Sequence, residues 1–83
     1  MEKELTLTVS QTEIGPVIKA YMKKQRMPVV WLARALGCSR TNVYKIFEKH
    51  SIDTEMLMKI STLLGFDFFK IYSAEMSTQK QNM

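Results

Sequence analysis

The chain has 83 residues, 46% of them apolar and 10% aromatic, and a formal net charge of +4. That length holds one domain with a small core and leaves no room for a deep enzyme cleft, while the apolar share is too high for a chain without a fold. Cys38 is the only cysteine, which excludes an intramolecular disulfide and a multi-cysteine zinc site; no signal-peptide core is visible and no apolar run nears the ~18 residues of a membrane span, so a cytoplasmic protein is expected.

The N-terminus reads Met1-Glu2-Lys3-Glu4-Leu5-Thr6-Leu7-Thr8-Val9, with apolar and β-branched residues alternating from Leu5 onward at the period of a half-buried strand. A single strand needs a partner, and nothing else in the chain reads convincingly as β. Residues 1–12 are therefore expected to form an arm. It either pairs with the same arm of a second copy, as a two-stranded ribbon in a dimer, or lies as a loosely docked terminus.

From Ile14 the apolar positions fall at Ile14, Val17, Ile18, Tyr21 and Met22, the spacing of a first helix. Pro16 is tolerated only in a first turn, so this helix should begin between Glu13 and Gly15, and Gln25-Arg26-Met27 should close it before Pro28. Pro28 suits the opening of a second helix whose inner stripe is Val29, Leu32, Ala33 and Leu36. Gly37 ends it, being free to take the left-handed conformation of a tight turn. Ser39 should cap a third helix through the N–H of Thr41 or Asn42, with Val43, Ile46 and Phe47 facing inward. Asp53 should cap a fourth, with Met56, Leu57, Ile60, Leu63 and Leu64 inward and Gly65 at its end. Asp67 should cap a short final helix through Phe68, Phe69, Ile71 and Tyr72. Residues 73–83 are polar and aperiodic and are expected to be a disordered tail. The reading is thus an all-α, five-helix domain over 13–72, flanked by an arm and a tail.

The stretch from Leu32 to Ile46 places two short helices on either side of one glycine turn, the spacing of a helix-turn-helix. On the third helix Arg40, Thr41, Tyr44, Lys45 and Glu48 form one outward stripe. Arg40 can donate two hydrogen bonds to guanine, Thr41 can bond several base edges, Tyr44 offers a ring to the thymine methyl or a hydroxyl to phosphate, and Lys45 suits guanine or phosphate. Asn42 can pair with adenine, hold phosphate or simply serve the first helical turn; Lys49 and His50 are placed for the sugar-phosphate backbone. Between Ile14 and His50 stand Lys19, Lys23, Lys24, Arg26, Arg34, Arg40, Lys45 and Lys49 against Glu48 alone, while the rest of the chain has four basic and seven acidic residues. Basic charge gathered on the helix-turn-helix half is what a polyanion binder carries. There is no metal-ligand cluster, no paired carboxylates in a plausible cleft, no glycine-rich phosphate loop and no nucleophile with a base. No enzyme, cofactor, metal or small-molecule substrate is expected.

Leu32-Ala33 followed by Gly37, Val43 and Ile46 resembles the helix-turn-helix of the phage repressor and Cro-like (XRE-type) family of bacterial regulators, and the likeness continues through a fourth helix over Ser51 to Gly65, covering roughly Ile14 to Tyr72. The resemblance implies a compact five-helix lambda-repressor-like domain that binds double-stranded DNA as a transcriptional regulator, here expected as a homodimer. Three departures from that pattern stand out. Val29 stands where many members have a phosphate-anchoring glutamine, which leaves backbone N–H groups to do that work. Met22 and Phe47 stand where many have an arginine–glutamate pair, an apolar exchange that spares the cost of desolvating charge. Trp31 occupies an often polar site and is expected to pack against the first helix or the arm. Cys38, at the inner position of the turn, reads as a small apolar residue. Loss of the glutamine and the arginine leaves an alternative open: a protein-interaction module, adaptor or antitoxin-like, on the same fold.

Overall fold

The computed structural model describes residues 13–81, with side-chain surroundings defined through Met76. Among these residues the architecture is all-helical, with α1 over Ile14–Lys24, α2 over Val29–Leu36, α3 over Arg40–Phe47, α4 over Thr54–Leu64 and α5 over Phe69–Gln81. The expected strand of the arm lies outside the described residues.

Helix starts follow side-chain chemistry where a capping residue exists. Ser39 Oγ accepts from the N–H of Asn42 at 3.2 Å, Asp53 Oδ1 from Met56 at 2.7 Å and Asp67 Oδ1 from Phe69 at 3.0 Å, each satisfying an amide that the helix itself leaves open. Pro28 is extended, with φ −72° and ψ 141°, and precedes α2 instead of opening it; its carbonyl accepts the Trp31 N–H at 3.1 Å.

Helix ends are more uniform. After α1, α2 and α4 the chain turns through a left-handed residue, Arg26 (φ 58°), Gly37 (φ 73°) and Gly65 (φ 68°) respectively. In each turn the next amide reaches back to the helix: Met27 donates to the Met22 carbonyl at 2.9 Å, Cys38 to Ala33 at 2.9 Å and Phe66 to Ser61 at 3.1 Å. This reversal presses Met27, Cys38 and Phe66 against the core although they lie beyond the helical period. Arg26 is the one non-glycine among the three. A left-handed conformation costs a side-chain-bearing residue ~1–2 kcal/mol, part of which glycine gives back through its freer unfolded chain. Arg26→Gly is therefore expected to stabilise the fold by about 1 kcal/mol, seen as a higher urea midpoint at unchanged slope.

All five helical segments contribute to a single apolar core. Ile14, Ile18 and Met22 of α1 meet Leu32 and Ala33 of α2, Val43, Ile46 and Phe47 of α3, Leu57, Ile60 and Leu64 of α4, and Phe68 at the entrance to α5. No polar or charged residue is buried among the described residues. Met22 and Phe47 thus lie in one apolar cluster. At the base, Tyr21, Phe66 and Phe68 form a ring cluster with centroids 4.8–5.6 Å apart, two of the three contacts edge-on. The Tyr21 hydroxyl donates to the Leu64 carbonyl at 3.5 Å, tying α1 to the end of α4.

The tail departs from expectation. Residues from Ala74 were expected to be irregular, and α5 instead continues through Gln81. Once Phe69, Ile71 and Tyr72 dock the first turns, each added residue brings a hydrogen bond without a new nucleus, and the sequence Ala74-Glu75-Met76 onward holds no glycine or proline to stop it. The Tyr72 phenol is held above its usual titration range, first by burial and second by the charge of Glu75 three residues on.

Candidate nucleic-acid interface

The α3 helix presents the candidate site. Val43, Ile46 and Phe47 are buried, and Arg40, Thr41, Asn42, Tyr44, Lys45 and Glu48 are exposed, as are Lys49 and His50 just beyond the helix. The structure therefore brings the seven expected contact residues, Arg40, Thr41, Asn42, Tyr44, Lys45, Lys49 and His50, onto one element and its exit. Within that set the stripe divides. Tyr44 is half exposed and sets its ring edge-on to Phe47 one turn on, with centroids 6.2 Å apart, and it borders α1 across a shared groove. Tyr44 and Glu48 line a groove shared with α1, whereas Arg40, Thr41, Asn42 and Lys45 do not. Arg40, Thr41 and Lys45 are the donors left facing solvent away from that groove. Asn42 contributes its backbone N–H to the Ser39 cap, which sets the first turn and leaves the side chain exposed.

What holds α3 in place is a junction with the start of α1. Glu13 makes no side-chain cap to α1. The first amides of α1 go instead to the chain leaving α3: Ile14 N–H donates to the His50 carbonyl at 3.2 Å and Gly15 N–H to the Lys49 carbonyl at 3.0 Å. Open donors of one helix and free carbonyls after another satisfy each other, and the dipoles at these two ends attract. The approach is so close that a Cβ on Gly15 would lie 2.6 Å from the Phe47 carbonyl oxygen and 2.7 Å from that of Lys49, and would also meet that of Ile46. Gly15 is thus a positioning residue for the candidate surface that the sequence reading took only as a helix start. A glycine inside a helical pattern, one step after a core isoleucine, was the available signal. The same bonds fix the backbone at Lys49 and His50, so their side chains project from a constrained segment.

Two further surfaces border α3. The groove between α1 and α3 measures about 540 Å³ and is lined by Pro16, Lys19, Ala20, Lys23, Tyr44, Phe47 and Glu48. On α2, Val30 and Trp31 are 45% and 40% exposed. Trp31 was expected to pack on α1 or the arm; it stands outside the core cluster of the described residues, because the buried stripe of α2 is centred on Leu32 and Ala33, and the arm lies outside the described residues. Val29 and Cys38 are half-buried against that cluster, Cys38 as a free thiol.

Among the described residues no group of three or more His, Cys, Asp or Glu is placed to hold a metal ion, and no helix is long and apolar enough to cross a membrane. Comparison of the chain with protein-family models, with curated proteins and with solved structures finds no match.

Proposed function

We propose that this chain is a sequence-specific DNA-binding transcriptional regulator, a five-helix domain of the phage repressor and Cro-like type that acts as a homodimer and sets α3 in the major groove. The observation that carries the reading is the pairing of an exposed Arg40, Thr41 and Lys45 with a buried opposite face on an eight-residue helix whose exit is clamped by main-chain bonds. A rigidly held helix with exposed forked and point-charge donors is what base-edge reading requires. Lys49 and His50 flank it for phosphate, and α2, which has no side-chain cap, offers the amides ahead of Trp31 for a second phosphate contact. A symmetric dimer would meet two half-sites about 34 Å apart.

Selection of bound sequences from random duplexes tests the reading: an enriched motif with two related halves is expected, and enrichment of no motif refutes it. Within that framework, Arg40→Ala should cost about 1–3 kcal/mol of binding and relax preference at one base pair. Lys49→Ala should weaken all sequences alike and flatten the dependence of log affinity on log salt by about one unit. Titrations of matched and scrambled duplexes at several salt concentrations separate these two effects.

The exposure of Val30 and Trp31 favours a second reading, a protein-interaction module without base reading. A binding partner retained in full by the R40A/K45A double variant would support that reading over the first.

A further inference from the structure

We propose that the duplex read by α3, a reading on which this inference rests, lays one of its strands along the α1–α3 groove, where Lys19 and Lys23 of α1 and the Tyr44 hydroxyl of α3 hold its phosphates. A helix with its side chains is ~10–12 Å across and a major groove is ~12 Å wide, so a helix that reads base edges fills the groove and the strands pass along its flanks. On α3, Arg40, Thr41 and Lys45 face away from α1 and meet the bases, while Tyr44 and Glu48 mark the flank beside α1. That flank opens on a groove of about 540 Å³ whose far wall is α1, so a strand beside it runs between the two helices.

The groove suits a sugar-phosphate strand on both of its walls. Pro16, Ala20 and Phe47 supply apolar surface for the sugars, and the exposed Lys19 and Lys23 stand on the α1 wall. Four residues apart, these lysines share one face about 6 Å apart along the helix. A strand carries one charge per ~3.4 Å of duplex axis, so two such flexible stems reach separate phosphates. Tyr44 is half exposed on the same flank with its ring edge-on to Phe47, which turns its hydroxyl to phosphate and away from the thymine methyl groups at the groove floor. Glu48 is the one acid among the groove-lining residues. Two lysines outweigh it, and its repulsion of phosphate acts on every sequence alike, leaving more of the discrimination to the base-facing donors. Continuity with those donors favours a polyanion over a peptide as the occupant.

Salt titrations of matched and scrambled duplexes against the full chain test the proposal. K19Q/K23Q should flatten the slope of log affinity against log salt by about 1.8 units, at ~0.9 per phosphate contact, with the ratio of matched to scrambled affinity unchanged. K59Q/K70Q removes the same charge from exposed positions on α4 and α5 and should leave the slope at the parent value. Tyr44→Phe should weaken both duplexes by the same factor, and Glu48→Gln should strengthen both. Intact binding with an unchanged slope in K19Q/K23Q overturns the proposal and leaves the groove to a protein partner. Equal flattening by K59Q/K70Q overturns it as well, because net charge would then be the cause, and so does a loss in Tyr44→Phe confined to the matched duplex. Binding of no duplex by the parent chain is a separate result: it refutes the proposed function, and this inference with it.

Discussion

Gly15→Ala is expected to destabilise the fold by about 3 kcal/mol, toward the upper end of overpacking costs. Two effects of opposite sign meet at this position. Alanine is the better helix former by ~1 kcal/mol, so on propensity alone the exchange would stabilise α1. Against that, the new methyl would stand 2.6–2.7 Å from the Phe47 and Lys49 carbonyl oxygens and against that of Ile46. Those atoms are main chain and cannot turn aside as a flexible side chain would, so α1 and α3 must move apart, stretching the bonds from Ile14 and Gly15 to His50 and Lys49. Each such bond contributes ~0.5–1.5 kcal/mol, and a donor left buried and unpaired costs more. The steric term therefore wins. Urea unfolding measures the loss, and amide exchange at Ile14 should accelerate before the rest of the core. A more stable variant would mean the junction is looser than the structure shows.

Phe68→Ala is expected to cost about 3–5 kcal/mol, the range for emptying a buried phenylalanine site. Phe68 is fully buried and meets Tyr21 and Phe66 with ring centroids 5.6 and 4.8 Å away. Its backbone N–H donates to Ser61 Oγ at 3.3 Å, so the residue is held from α4 as well. At ~0.05–0.15 kcal/mol per residue a chain of this length has a total stability of only about 4–12 kcal/mol, and the exchange removes a large share of it. Phe68→Leu keeps most of the volume and should cost less than about 1.5 kcal/mol. Thermal and urea unfolding of both variants give the comparison; an alanine variant within 1 kcal/mol of the parent, well under the usual cavity cost, would show that the ring cluster does not hold α4 and α5 to α1.

Helix positions were legible because periodicity and capping act over four residues or fewer. Ser39, Asp53 and Asp67 announce their helices, Gly37 and Gly65 end theirs, and every inward helical position read from the spacing between Ile14 and Tyr72 lies in the core cluster or packs against it. Residues escaped the reading where the backbone stops being periodic. Met27 and Phe66 reach the core because a left-handed residue folds them under the preceding helix, and Ile52 reaches it from the link between α3 and α4. The junction at Gly15 was illegible for another reason: its partners are carbonyl oxygens more than thirty residues away, and main-chain atoms leave no trace in residue type. On α3, spacing identified the exposed residues but not their neighbours, so the groove that Tyr44 shares with α1 emerges only from the packing. The length of α5 was missed because hydrophobic period marks docked helices, and the later turns of this one grow from an end that is already docked.

The clamp between Ile14-Gly15 and Lys49-His50 is built from peptide groups, which are common to all residue types but proline. How α3 is aimed and what α3 displays are therefore written in separate alphabets. Substitution at Arg40, Thr41 or Lys45 leaves every bond of the clamp standing, so the displayed chemistry can drift through many solutions while the mount stays constant. Descendants of such a chain would diverge fastest at the surface they present and slowest at one small, featureless glycine.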